Sequence, residues 1–281
     1  MCLALVRWCA RSAGSETLSW TAAAAIEQRD PQRAAAARLR ATEYLSTAEF
    51  CIHPDTQLSA KVALYRKLRH TFAQAVADAR PRVTPGNVPY RRSALYAYRI
   101  DPVDSPRRRQ PTAILCGSLD NLAEEVYLWV GQKLARRGLG VLVVDGPGQG
   151  ASPRMRRIPS RPDYEVVTKA VVDYPVAQRH VDPKRIGLIG ISLGGYYAAR
   201  SAAFKRRLQA TVAWTGIWNA ANGLPSPARP RDHRVLRPPG PMGDGSKDAP
   251  LTPNKLKKLH MADVVGGIPQ ADPDWSAPAW R

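Results

Sequence analysis

Residues 185–200 read Arg185-Ile-Gly-Leu-Ile-Gly190-Ile-Ser192-Leu-Gly194-Gly-Tyr-Tyr-Ala-Ala-Arg200. A short apolar run leads into a G-x-S-x-G pentapeptide, and an alanine-rich run follows it. Between a strand and a helix this pentapeptide forms a nucleophile elbow, where a strained turn exposes the serine oxygen above the sheet. Glycines flank the serine because neighbouring backbone comes too close for a Cβ. The stretch therefore predicts an elbow with Ser192 at its tip; the alternative is a chance match in a loop.

Length and charge limit the class of protein. The chain has 281 residues and is 44% hydrophobic, which is enough for one large α/β domain or a domain with a cap. The net charge of +19 comes mainly from arginines, with clusters at 107–109, 154–157 and 205–207. No nucleic-acid-reading motif accompanies them, so we interpret them as a solvated surface without a specific nucleic-acid partner. Weak attraction to polyanions still follows from the charge alone.

The cysteines and the N-terminus bear on the compartment. The four cysteines lack metal-ligand spacing, so reduced thiols in a cytoplasmic protein are expected; they are Cys2, Cys9, Cys51 and Cys116. Arg7 and Arg11 interrupt the first apolar residues, which are too few for a secretory signal. No apolar run approaches the roughly 18 residues of a membrane helix, so no membrane contact is predicted.

Four segments are predicted along the chain. They are a loose lead-in at 1–29, a helical cap segment at 30–87, an α/β core at 88–220 and a proline-rich irregular tail at 221–281. Within the cap segment, Asp30 and Pro31 are typical of a helix start. Apolar periodicity predicts helices over 34–50 and 58–79, with His70 on a helix surface, and 81–87 is interpreted as a linker.

The core segment alternates between strand and helix patterns. Strands are predicted at 90–100 (strand or hairpin), 113–116, 140–144, 185–189 and 208–214. Helices are predicted at 126–137, 164–180 and 196–204, and Pro175 is expected to kink or end the second of them. Such alternation predicts a mostly parallel sheet with flanking helices and right-handed crossovers. After Trp214 no strand-like run appears, so we expect the fold to be incomplete at the C-terminus.

A serine nucleophile needs N–H donors for the oxyanion, and the sequence offers candidates for them. One is the backbone N–H of Leu193, and the other is expected from the loop after the first core strand, at Ser118 or Leu119. That loop is alternatively a plain strand-ending turn. Residues 145–150, Asp-Gly-Pro-Gly-Gln-Gly, lack the dinucleotide-binding spacing, so they are interpreted as a tight loop beside the site.

Five motifs occur together, in order: Gly117-Ser-Leu-Asp-Asn-Leu-Ala-Glu-Glu125, Asp145-Gly-Pro-Gly-Gln-Gly150, Arg161-Pro-Asp-Tyr-Glu165, Val181-Asp-Pro-Lys-Arg-Ile186 and Gly190-Ile-Ser-Leu-Gly-Gly195. Over roughly residues 33–220 the chain resembles the α/β-hydrolase branch of fermentation–respiration-switch-like esterases, dihydropseudooxynicotine hydrolases and fungal polyketide-shortening hydrolases. The resemblance implies a Ser–Asp–His triad, no metal or cofactor, and hydrolysis of a small-molecule ester or a ketone-adjacent C–C bond. It also implies that the helices of the cap segment contribute a lid.

The chain departs from that family after the elbow. The resemblance places the triad acid and histidine at the ends of later strands, which this sequence does not show. His233 and His260 are weak candidates for the base, and His180 has the wrong chain position. The tail aspartates have no better context; they are Asp232, Asp244, Asp248, Asp263, Asp272 and Asp274.

Three hypotheses remain open from the sequence. The first is an active serine hydrolase. The second is a non-catalytic relative whose reading frame or coding stretch was lost near residue 221. Such a loss would leave an unpaired sheet edge, which favours pairing with another chain, including a second copy of this chain in a homo-oligomer. The third is a polyanion-binding protein, and it rests on charge alone.

Overall fold

The computed structural model describes residues 30–52, 54–103 and 109–216. The helices are α1 (Pro31–Cys51), α2 (Pro54–Ala75), α3 (Ala123–Val126), α4 (Gln132–Ala135), α5 (Ala151–Arg156), α6 (Glu165–Val176) and α7 (Leu193–Phe204), and a π-helical turn (Tyr127–Gly131) joins α3 to α4. The strands are β1 (Val83–Tyr90), β2 (Ser93–Ile100), β3 (Gln110–Cys116), β4 (Gly140–Val144), β5 (Val181–Ile191) and β6 (Ala210–Trp214).

The strands form one six-stranded sheet in the order β1-β2-β4-β3-β5-β6. β3, β4, β5 and β6 run parallel, whereas β1 and β2 form an antiparallel hairpin at one side. Cys116 of β3 lies opposite both Val144 of β4 and Gly190 of β5. The loops that follow these three strands therefore meet at the carboxyl edge of the sheet, and the predicted mostly parallel α/β class is confirmed.

Helices cover both faces of the sheet. β3 and β4 are apolar almost throughout because a parallel strand between two helical layers is buried on both sides. On one face Ile114 and Leu188 pack with residues of α6 and α7, such as Val171 and Tyr197. The other face packs Leu115, Val141 and Val143 against α2, α3 and α4. The predicted incomplete C-terminus and the tail lie outside the described residues.

The helical pair α1–α2 is joined to the core by buried charges. Asp30 begins α1 as predicted, since its Oδ1 accepts a hydrogen bond from the N–H of Arg33 at 3.0 Å. Near the end of α1, Glu49 is 2% exposed and lies 2.6 Å from Arg154 Nε and 3.1 Å from Lys61 Nζ. Because Arg154 belongs to α5, this ion-pair cluster links both helices to the segment that follows the 145–150 loop.

Two local predictions are wrong. Residues 83–87, interpreted as a linker, lie in β1 and pair with β2. Pro85 and Pro89 made a strand look unfavourable from the sequence. β1 lies at the edge of the sheet, where proline is tolerated because half of the N–H groups need no partner in the sheet. Cys51 is disulfide-bonded, so the expectation of four reduced thiols is also wrong, whereas Cys116 is a free buried thiol.

Other differences concern the ends of elements. The helix predicted at 164–180 ends at Val176, one residue after Pro175, which was expected to kink or end it because proline cannot continue the hydrogen-bond ladder. The short helix α5 was not predicted, since six residues containing a proline carry little periodicity. β5 is longer than the predicted strand at both ends: it begins at Val181, so it adds residues 181–184, and it continues to Ile191.

Candidate active site

The G-x-S-x-G stretch forms a tight turn between β5 and α7. Ser192 is the single residue between the strand and the helix, and its backbone has φ +55° and ψ −111°. This left-handed φ is unfavourable for an L-residue other than glycine. The N–H of Ser192 donates to the carbonyl oxygen of Trp214 at 2.8 Å, which ties the turn to β6. The side chain is partly exposed at the carboxyl edge of the sheet.

Close backbone contacts explain both glycines of the motif. A Cβ on Gly190 would overlap the carbonyl oxygen of Gly194 within the turn. A Cβ on Gly194 would lie 2.6 Å from the carbonyl oxygen of Cys116, in the neighbouring strand β3. The turn at Ser192 is therefore in direct backbone contact with the start of the loop that follows β3.

The loop after β3 is held by side-chain amides. Gln149 donates from Nε2 to the carbonyl oxygens of Gly117 and Ser118, at 2.5 and 2.9 Å. The N–H of Ser118 donates to Asn121 Oδ1 at 2.9 Å and is thus already engaged. Among the described residues the N–H of Leu119 has no hydrogen-bond partner. The N–H of Leu193 belongs to the first turn of α7, where N–H groups lack a partner within the helix.

The 145–150 loop wraps around a carboxylate and does not form a phosphate cradle. Asp145 is buried, and its carboxylate accepts the N–H groups of Ala123 and Ala151 at 2.9 and 2.8 Å. The Tyr65 hydroxyl of α2 donates to the same carboxylate at 3.3 Å. Gly150 has a φ of +46°, and a Cβ there would overlap the Asp145 carboxylate. These contacts fix the loop that carries Gln149.

Two further carboxyl groups near this edge have raised pKa values. Burial raises the pKa of Asp120, in the loop after β3, to about 6, against the opposing charges of Arg154 and Lys61. Burial, reinforced by the charge of Asp145, raises the pKa of Glu124 to about 7. The sequence did not single these residues out. The one sequence signal that could have indicated them is the D-x-x-x-E spacing of Asp120 and Glu124 just after a buried strand.

The thiol of Cys116 lies under the elbow. Its Sγ is 3.5 Å from the carbonyl oxygen of Gly194, and burial raises the pKa of the thiol to about 12. A thiol held in this protonated state is a poor nucleophile. Cys116 therefore packs beneath the turn, and its thiol is not a candidate nucleophile.

The described residues do not bring a histidine to Ser192. His70 is exposed on α2, as predicted. His180 precedes β5, at the opposite end of that strand from the elbow, and its Nε2 lies 3.1 Å from Arg99 Nη1. His233, His260 and the six tail aspartates lie outside the described residues. Ser192 and Leu193 are thus brought together with the 117–119 loop, whereas a base is not found within 30–52, 54–103 or 109–216.

No helix in the described part of the chain has both the length and the apolar character that crossing a membrane requires.

The chain is similar in sequence to a known family and to curated proteins. A family model described as Esterase FrsA-like matches residues 8–219. The α/β hydrolase ucsC of Acremonium sp is 33% identical over 204 residues, which are 65% of this chain and 41% of ucsC. The hydrolyase poxO of Penicillium oxalicum is 30% identical over 222 residues, which are 73% of this chain and 51% of poxO. The chain thus spans about half the length of these curated relatives.

Two solved structures share the fold at lower identity. The crystal structure of 2,6-dihydroxy-pseudo-oxynicotine hydrolase has a TM-score of 0.71 at 24% identity, covering 93% of this chain and 71% of that one. AbyA5 has a TM-score of 0.62 at 17% identity, with 90% and 70% covered. The six-stranded sheet, the elbow between β5 and α7 and the family match over residues 8–219 agree, and the chain belongs to the FrsA-like esterase family of α/β hydrolases.

Proposed function

We propose that the chain is a serine hydrolase in which Ser192 attacks the carbonyl carbon of an ester or of a ketone beside a scissile C–C bond. The observation that carries the proposal is the strained backbone of Ser192 between β5 and α7. Strained non-glycine residues cluster at active sites, where the surrounding structure holds them in place. The relative ucsC, which is named an α/β hydrolase, supports the same class of reaction.

The proposed reaction is a two-step acyl transfer. The Ser192 oxygen forms a bond to the carbonyl carbon, the bond to the leaving alkoxide or carbanion breaks, and that group takes the proton lost by the serine. Water then attacks the acyl-serine and releases the carboxylic acid. Both steps need a general base, which we place outside the described residues.

The oxyanion that forms in each step needs two N–H donors. Leu193 supplies one, because its N–H opens α7 directly after the nucleophile. For the second donor we favour Leu119 over Ser118, since the N–H of Ser118 already donates to Asn121. Loss of one such donor typically lowers the rate by about 10²–10³-fold.

The alternative is a catalytically impaired relative. One observation supports it: the described residues supply no histidine to Ser192. Without a base the serine hydroxyl is a weak nucleophile at neutral pH. A small-molecule substrate, a cytoplasmic location and a homo-oligomer remain proposals on the same footing.

A fluorophosphonate probe separates the two candidates. The full chain is incubated with the probe and digested, and the labelled peptide is identified by mass spectrometry. An active hydrolase is labelled at Ser192, and Ser192→Ala abolishes the label together with turnover of a nitrophenyl ester. Ser93→Ala, which removes an exposed hydroxyl from the β1–β2 hairpin, is the matched control and keeps both.

The outcomes are distinct. A chain that melts cooperatively but is not labelled supports the impaired relative. Labelling at a serine other than Ser192 contradicts both candidates, because it moves the nucleophile away from the elbow.

A further inference from the structure

A groove lined by arginines opens beside the hairpin of β1 and β2. It has a volume of about 440 Å³ and lies between residues 90–93 and residues 157–163. We call it the arginine groove. Four of its lining residues are arginines, namely Arg91, Arg92, Arg157 and Arg161, and Asp163 is the one carboxylate among the lining residues.

The charges of the arginine groove are not balanced. Asp163 is bound by Arg161, whose Nε donates to Oδ1 at 2.8 Å, and Arg161 also donates to the Tyr90 hydroxyl at 2.7 Å. Arg91, Arg92 and Arg157 are exposed, and none of the three pairs with a carboxylate in the described part of the chain. The groove thus offers three guanidinium groups, each with donors for an anionic oxygen.

Two of these arginines occupy backbone positions that favour glycine. Arg91 has a φ of +52° at the first central position of the two-residue hairpin turn, where the type II′ geometry prefers glycine. Arg157 has a φ of +54° and a ψ of 35° at the C-cap of α5, again a position where glycine is common. An L-residue costs roughly 1–2 kcal/mol in this conformation.

Local contacts of the two side chains do little to offset this backbone strain. Within residues 30–52, 54–103 and 109–216 the Arg157 side chain has no hydrogen bond, ion pair or ring contact that would offset the strain, and Arg91 has one weak contact, with its guanidinium 5.7 Å from the centre of the Tyr90 ring. Four described non-glycine residues have a positive φ; two belong to the elbow region, Ser192 and Thr215, and the other two are these arginines. Strain at a functional position is retained when the side chain has a task there.

We propose that the arginine groove binds a phosphate group of a small ligand. Arginine recognises phosphate through paired N–H donors in a planar fork, and three unpaired guanidinium groups suit a multiply charged group better than a single carboxylate. β2 runs antiparallel to β4, so the hairpin turn projects beyond the carboxyl edge that carries Ser192. Three strand spacings, about 14 Å, separate β2 from β5 across the sheet. The proposal does not depend on the chemistry of Ser192.

Titration calorimetry of the full chain with inorganic pyrophosphate at low salt tests the proposal. We expect binding with one site per chain. Arg91→Gly combined with Arg157→Gly lowers the affinity at least tenfold without lowering the melting temperature, because glycine relieves the positive φ. Arg92→Ala, at an unstrained position, lowers the affinity on its own and serves if the glycine pair disturbs folding.

The matched control removes two exposed arginines elsewhere, Arg136→Ala with Arg206→Ala, and keeps the affinity within twofold. Equal losses in the control and in the glycine pair would show a general charge effect and overturn the proposal. Absence of pyrophosphate binding would also overturn it. So would a single-stranded oligonucleotide that binds with steep salt dependence and is not displaced by pyrophosphate, because that result indicates a polyanion surface.

Discussion

Replacement of Ser192 by glycine is expected to stabilise the fold while it removes the proposed nucleophile. Ser192 has a φ of +55°, which costs an L-residue roughly 1–2 kcal/mol. Glycine avoids that cost, but it lowers the free energy of unfolding by about 0.5–1 kcal/mol relative to alanine, because it gives the unfolded chain more conformational freedom. No described group is hydrogen-bonded to the Ser192 hydroxyl, so its loss adds little. Ser192→Gly is therefore expected to exceed Ser192→Ala in stability by about 0.5–1 kcal/mol.

Equilibrium urea unfolding of both variants measures this difference, and both are expected to lack esterase activity. At a few degrees per kcal/mol, the corresponding shift in melting temperature is about 1–4 °C. Ser93 provides the control, because it lies in β2 with ordinary strand geometry and glycine there is expected to be less stable than alanine. If Ser192→Gly is less stable than Ser192→Ala, the serine is not strained and the elbow geometry is wrong.

Three further predictions concern buried groups. Arg154→Leu is expected to lower the free energy of unfolding by about 3–5 kcal/mol, because it leaves the buried Glu49 carboxylate with one cation; adding Glu49→Gln should restore part of the loss in denaturant unfolding. Folding raises the pKa of Glu124 from 4.5 to about 7, so the folded state binds the carboxyl proton more tightly than the unfolded state does. The free energy of unfolding is therefore expected to fall as the pH rises from 4.5 through 7. Glu124→Gln should remove this loss, of about 3 kcal/mol, from melting curves recorded against pH; an unchanged profile would contradict the assignment. Cys116, with a pKa raised to about 12 by burial, should resist iodoacetamide at pH 8 until the chain is unfolded, as measured by intact mass.

The parts of the fold that sequence predicts well are those with a strong local signal. The apolar runs at 113–116 and 140–144 leave no alternative to buried strands, and the glycines around Ser192 specify a turn of one kind. β1 was missed because Pro85 and Pro89 break its alternation, although as an edge strand it tolerates them.

The contacts that hold the site together are non-local, so no sequence window contains them. Glu49 and Arg154 lie 105 positions apart, yet they form a bidentate ion pair. The role of Gln149 depends on where the loop after β3 lies in space, and the occupied N–H of Ser118 depends on the rotamer of Asn121. The periodicity of apolar residues does not predict these contacts, because each depends on how several elements pack together.

The ion pairs between Glu49, Lys61 and Arg154 bear on how firmly the two N-terminal helices are held. These charges are at most 5% exposed, and they join α1, α2 and α5. If α1 and α2 moved away from the core, the charges would return to water, and hydration would offset much of the lost Coulomb attraction. We therefore expect the cluster to fix where the helical pair sits on the core and to oppose its displacement only weakly.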